Sequence, residues 1–334
     1  MTLRHGCSLA LPAITGIATA LLLGCSSGSG SGGGGGLSVN EKAAAAAFGG
    51  AFIALDARDF AGQVGDDDDD EGGIFDAASA VMKSARVVAK SAEPCSDGGS
   101  LSEEAGTAES LYAGTITTER VVAVNCKQSI PQANFSAETD GIIEFGEAEN
   151  GAVFFFKASG ASGDPDNGDQ YTSVTNAPGF SSDIKMRGLM NICDGCSAPQ
   201  EGGNLEQEVF LDARFLLEGS DFTLQFGRRS DEPLRFVGTT SGNTGTGTID
   251  GLLAVNVAGT PCAFSADYET VEPLAFEGLN GNNERIVGGV LNVAIDGGSP
   301  IEVVFQEDGS LIVDGETYTE ADLDALDEEC GFAE

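Results

Sequence analysis

The chain has 334 residues, with 53 Asp+Glu against 16 Lys+Arg, a formal net charge of −37, eight Cys, 48 Gly, no Trp and one His. That histidine, His5, lies in a segment expected to be removed, which excludes Ser-His-Asp and Cys-His catalysis, His-ligated zinc and C-x-x-C-H haem attachment from the mature protein. So acidic a chain has no basic footprint with which to displace phosphate counterions, so nucleic acid is not an expected partner.

Residues 1–24 read as a secretory signal, with Arg4 as the positive start and an apolar stretch from Leu9 through Ile14 and Ile17 to Leu23. Pro12 and Gly16 interrupt that stretch, which is short for a span of about 20 apolar residues. It ends Leu22-Leu23-Gly24-Cys25, the pattern of a bacterial lipobox, which makes Cys25 the expected lipidation site. Acyl chains on Cys25 would give membrane anchoring, because two or more chains hold stably where one does not. Ser26 follows the cysteine in place of Asp, which by Gram-negative sorting rules points to the cell outer membrane. Residues 25–36, largely Gly and Ser, form a tether of roughly 18–20 Å that cannot pack.

Residues 37–93 form a helical region. Asn40 is expected to cap a first run through Ala43 to Ala47, with a weak point at Gly49-Gly50. A second amphipathic run carries Ile74, Phe75, Ala78, Val81, Met82, Ala85 and Val88 on one face. Between them, residues 66–71 (DDDDDE) read as a solvated acidic loop, since adjacent carboxylates do not converge on one ion. Asp164, Asp166 and Asp169 make a second acidic cluster and are Ca²⁺ candidates. They depart from the calcium-loop pattern, because glycine falls one position early and no Glu closes the loop. No other metal or cofactor is expected.

Residues 94–334 switch to strand-like alternation, as at Phe222, Leu224 and Phe226 and at Leu311 and Val313 after the Asp308-Gly309 turn. Further β-rich runs fall at 112–125, 141–146, 152–157, 207–217, 246–258, 271–276 and 285–295. The expected fold is mainly β, an antiparallel meander, barrel-like or sandwich, preceded by a short helical region and ended by a short helix after Thr319. Phe154, Phe155, Phe156, Phe210, Phe215, Phe222 and Phe226 are candidates to line an apolar cavity, or to fill an ordinary core. Gly-Thr-Ile, Ala-Val-Asn and Phe-Ser-Ala recur in order from 114 and from 247, a faint internal echo.

With Cys25 lipidated, Cys95, Cys126, Cys193, Cys196, Cys262 and Cys330 remain in the body, an even number that reads as three disulfides with 15 connectivities. Sequential pairing is the expectation: Cys95 with Cys126, Cys193 with Cys196 in a turn staple, and Cys262 with Cys330. A redox role for Cys193-Asp194-Gly195-Cys196 would need a βαβ setting that the surrounding sequence does not offer.

Several segments together resemble a loosely defined group of proteobacterial lipoproteins with a β-rich body. They are the helical start, Pro94-Cys95-Ser96-Asp97-Gly98-Gly99-Ser100, the strand ending Asn125-Cys126, the strand Glu272-Pro273-Leu274-Ala275-Phe276, and Gly309 to Tyr318 before an acidic helix. Members of that group are functionally uncharacterised, so the resemblance implies location and architecture and carries no catalytic residues. The functional expectation is a non-enzymatic envelope lipoprotein that acts as a structural or protein-interaction module with an unknown envelope partner. The alternative is a carrier of a small apolar ligand. A carboxylate-based hydrolase needs no histidine, but nothing singles out one pair among 53 acidic residues.

Overall fold

The structure, a computed structural model, describes residues 37–50, 95–148, 153–217, 220–258, 263–279 and 285–330. Cys25, the tether, the acidic run at 66–71, the second helical run and Cys262 lie outside the described residues. Within them, helix α1 covers residues 39–50. Ser38, not Asn40, caps it. The Glu41 N–H donates to Ser38 Oγ at 3.2 Å and the Ser38 N–H donates to Glu41 Oε2 at 2.6 Å, a reciprocal S-x-x-E box. Asn40 instead donates through Nδ2 to Glu316 at 3.1 Å.

The β body is one antiparallel sheet of fifteen strands among the described residues. In chain order these are β1 (Gly98–Ser110), β2 (Gly114–Ile130), β3 (Phe135–Glu147), β4 (Val153–Ser159), β5 (Tyr171–Ala177), β6 (Phe180–Asp194), β7 (Leu205–Leu217) and β8 (Ser220–Phe226). They continue as β9 (Leu234–Ser241), β10 (Thr244–Val257), β11 (Ala263–Glu277), β12 (Arg285–Ile295), β13 (Pro300–Phe305), β14 (Leu311–Val313) and β15 (Glu316–Tyr318). Helix α2 (Glu320–Cys330) follows, with Thr319 and Asp322 bonded reciprocally at its start and Leu323 and Leu326 buried. Strand order follows the chain from β1 to β15, except that two short strands share one place twice. β4 and β5 lie end to end between β3 and β6, and β8 and β9 lie end to end between β7 and β10.

Those breaks are where the long strands bend, and glycine permits the bend. Gly141 in β3 has φ +112°, and a Cβ there would lie 2.7 Å from the Ser159 carbonyl oxygen and 2.9 Å from Tyr171 Cα, where β4 ends and β5 begins. Gly251 in β10 has φ +115°, with the Pro233 oxygen 2.7 Å from the same point, where β8 gives way to β9. Neither conformation nor spacing admits a side chain.

The bent sheet encloses a single main core. Alternate residues of β3 to β14 meet in one apolar cluster that also holds Ala43, Ala44, Ala46 and Ala47 of α1 and Leu323 and Leu326 of α2. The short alanine side chains let the helix approach the strands closely. Tyr268 in β11 is fully surrounded there and donates its hydroxyl to the Ala46 carbonyl at 2.7 Å. The sequence echo falls on the β2–β3 and β10–β11 hairpins with opposite facing: Ile249 joins the main core, whereas Ile116 does not. It is therefore not a duplicated packing unit.

Candidate functional site

Phe154, Phe156, Phe215, Phe222 and Phe226 point into the main core, where Phe215 and Phe222 stack with centroids 4.7 Å apart. Phe210 corrects that grouping. It alternates with Val209 and Leu211 on β7 and so falls on the other side of the sheet, buried with the Arg187 guanidinium 5.9 Å above its ring. Phe155 alternates in the same way. The sheet is thus covered on both faces along β3, β4, β6 and β7, and the uninterrupted run Phe154-Phe155-Phe156 is the sequence signal of that.

The outer cover is built from the tip of the β1–β2 hairpin and from residues 195–204. At the tip, the Leu111 N–H donates to Asn191 Oδ1 at 3.1 Å, and Gln200 Nε2 donates to the Leu111 carbonyl at 2.7 Å. Tyr112 packs against Val153 and the Cys193–Cys196 disulfide. Two carboxylates on this side of the sheet are buried. Glu144, 4% exposed, accepts from Thr118 Oγ1 at 2.7 Å and pairs with Lys157 Nζ at 2.8 Å. Glu206, 1% exposed, accepts from the backbone N–H groups of Gln200 at 3.0 Å and Glu201 at 2.7 Å. Arg235 bridges Glu201 and Glu208, both at 2.8 Å. Burial first, then the negative charges of Glu208 and Glu206, raise the Tyr112 hydroxyl above its ordinary pKa. These groups escaped the sequence reading because nothing local distinguishes Glu144 or Glu206 from the many solvated acids.

Each of these carboxylates is already held by protein donors: Glu206 fastens the 195–204 loop to β7, and Glu144 ties Thr118 of β2 to Lys157 of β4. Among the described residues, no three His, Cys, Asp or Glu side chains are grouped to hold a metal ion. The loop does not assemble Asp164, Asp166 and Asp169 into such a group. Asp164 Oδ1 accepts the Asp166 N–H at 2.9 Å, and the Asp169 N–H donates to Asn167 Oδ1 at 3.2 Å. Asp166 accepts from both the backbone N–H and the hydroxyl of Ser230, tying the β4–β5 loop to the β8–β9 loop. Two of the expected disulfides, Cys95–Cys126 and Cys193–Cys196, are present.

Two surface features remain. A shallow groove of about 480 Å³ crosses the outer side of β7, β8, β10 and β11, walled by Thr223, Gln225, Asn256 and Ser265. Its two carboxylates, Asp212 and Asp296, pair with Arg187 and Lys42, each at 2.9 Å. The second feature is β1. Eleven residues, Ser100 to Ser110, pair in unbroken register with β2, and among the described residues β1 pairs with no other strand. Ser102 to Ala105 are exposed without alternation, so both faces of the strand meet solvent there. The 98–110 stretch is not among the strands expected from sequence: it is polar, glycine-containing and acidic, and forms a strand because β2 supplies the ladder. No protein-family model, curated protein or solved structure matches the chain.

Proposed function

We propose that the chain is a lipid-anchored protein of the Gram-negative outer membrane whose β body serves as a protein-interaction module and not as an enzyme. The observation that carries the interaction reading is β1, a long strand that among the described residues pairs only with β2 and that meets solvent on both faces at Ser102 to Ala105. Open edges invite strand addition, and folded proteins ordinarily blunt them. The packing of Phe215 on Phe222 and of the α1 alanines among the strand residues of the main core supports this reading over a ligand carrier. Leu22-Leu23-Gly24-Cys25 and the Gly/Ser spacer support the anchor. Replacing Cys25 by Ala is expected to move the protein from the membrane pellet to the soluble fraction on cell fractionation. An unchanged pellet would refute the tether.

A further inference from the structure

We propose that β1 is the docking edge for a basic, extended segment of a partner protein, which adds to the sheet as a further strand. This rests on the interaction reading above and names its partner chemistry. In an antiparallel ladder alternate residues turn their N–H and C=O groups away from the existing partner, so a strand of this length leaves about six residues with backbone groups free to pair. The opposite end of the sheet differs. β15 spans only Glu316–Tyr318, α2 follows it directly, and Glu316 is tied to Asn40 of α1.

The edge is also held in shape before anything binds. Cys95–Cys126 staples its start to β2, and the Leu111–Asn191 and Leu111–Gln200 bonds pin its far end to the sheet. A preformed edge spares the partner part of the ordering cost of association. Of the guards against strand addition, lysine and proline are absent from β1, and its register shift is confined to the Gly98–Ser100 end. In their place stand Glu103, Glu104 and Glu109, all exposed. Adjacent strand residues project to opposite faces, so Glu103 and Glu104 make both faces of the edge negative.

That charge selects the occupant. A second copy of this chain would set acidic strand against acidic strand between two chains of net charge −37 each, which is repulsive. A Lys- or Arg-bearing strand would place its side chains opposite or diagonal to these glutamates and gain both ladder bonds and charge pairing.

The test is site-directed photo-crosslinking of the full-length chain in the cells that produce it. The photoreactive residue replaces Ser102 or Thr107 in β1, or, as controls, Thr223 in the groove or Glu302 in β13. Crosslinked peptides are identified by mass spectrometry. The expected result is capture from the two β1 sites of a segment rich in Lys or Arg from another protein. The triple variant E103K/E104K/E109K should reduce that yield by at least about tenfold, and the neutral E103Q/E104Q/E109Q variant should fall between. The neutral variant keeps the comparison valid if charge reversal disturbs the hairpin. Capture of a second copy, or of an acidic or uncharged segment, overturns the proposal. Capture from Thr223 or Glu302 alone overturns the edge but leaves the interaction reading standing, whereas capture from none of the four sites overturns both.

Discussion

Asp296 follows β12 with φ +52°, in the left-handed region, and its carboxylate ties separate parts of the chain together. It accepts from Lys42 of α1 at 2.9 Å and from the Ser265 N–H of β11 at 3.0 Å. The hydrogen bond from Lys42, first of all, holds its pKa below the ordinary carboxylate value; partial burial opposes this and the Ser265 N–H adds to it. A depressed folded-state pKa contributes stability above the unfolded value, and that contribution is lost as pH falls through the folded one. Asp296→Asn, which tolerates the same backbone region, should therefore lower stability at pH 7 by about 1 kcal/mol or less, since half of the side chain is exposed. The difference from wild type should shrink as pH falls below the ordinary carboxylate range and through the depressed folded-state value, followed by urea midpoints across an acid pH series. No sequence pattern marks this residue, because its partner Lys42 is 254 positions away. Gln207 shows the same limit in reverse. It shares its facing with the core residues Leu205 and Val209, is 4% exposed, and its Oε1 has no hydrogen-bond partner among the described residues, although its sequence neighbours are ordinary strand residues.

The elements divide by how much of their cause is local. α2 and the capping of α1 are written in short motifs, T-x-x-D and S-x-x-E, and the strands around Phe222 to Phe226 and Leu311 to Val313 follow from alternation. β1, β5 and β9 carry weaker patterns and become strands by pairing with neighbours. The bend in β10 depends on Gly251, whose positive φ and 2.7 Å approach to the Pro233 oxygen leave no room for a methyl group. Gly251→Ala should cost at least about 1–3 kcal/mol, read as a lower urea midpoint with the far-ultraviolet β signal retained at low denaturant. A cost near zero would mean that β10 passes the β8–β9 junction without the bend. In sequence Gly251 is one of 48 glycines, and only the junction of the paired strands singles it out.

At the scale of the whole molecule, net negative charge sets the behaviour. A chain with 53 acidic and 16 basic residues repels itself, and the fold pairs several of its cations with carboxylates, as in Arg214–Asp221 at 2.6 Å and Arg228–Asp267. Raising NaCl from about 20 mM to about 500 mM shortens the screening length several-fold and should raise the melting temperature, by roughly 2–4 °C for each kcal/mol of repulsion relieved. A falling midpoint would mean that local ion pairs outweigh net repulsion. The amino-acid sequence alone determined the acidic character, the mainly β class, the antiparallel strands with strong alternation and the terminal helix, because each follows from composition or spacing along the chain; of the 15 connectivities open to six cysteines, the structure selects Cys95–Cys126 and Cys193–Cys196. Only the tertiary structure decided that the alanine helix packs within the same core as the strands and that Phe210 stands apart from the other phenylalanines. It also decided that Glu144 and Glu206 are buried among protein donors and that, among the described residues, β1 is an edge. Those features depend on which strands neighbour one another across long separations and on where the sheet bends, and local side-chain periodicity carries neither.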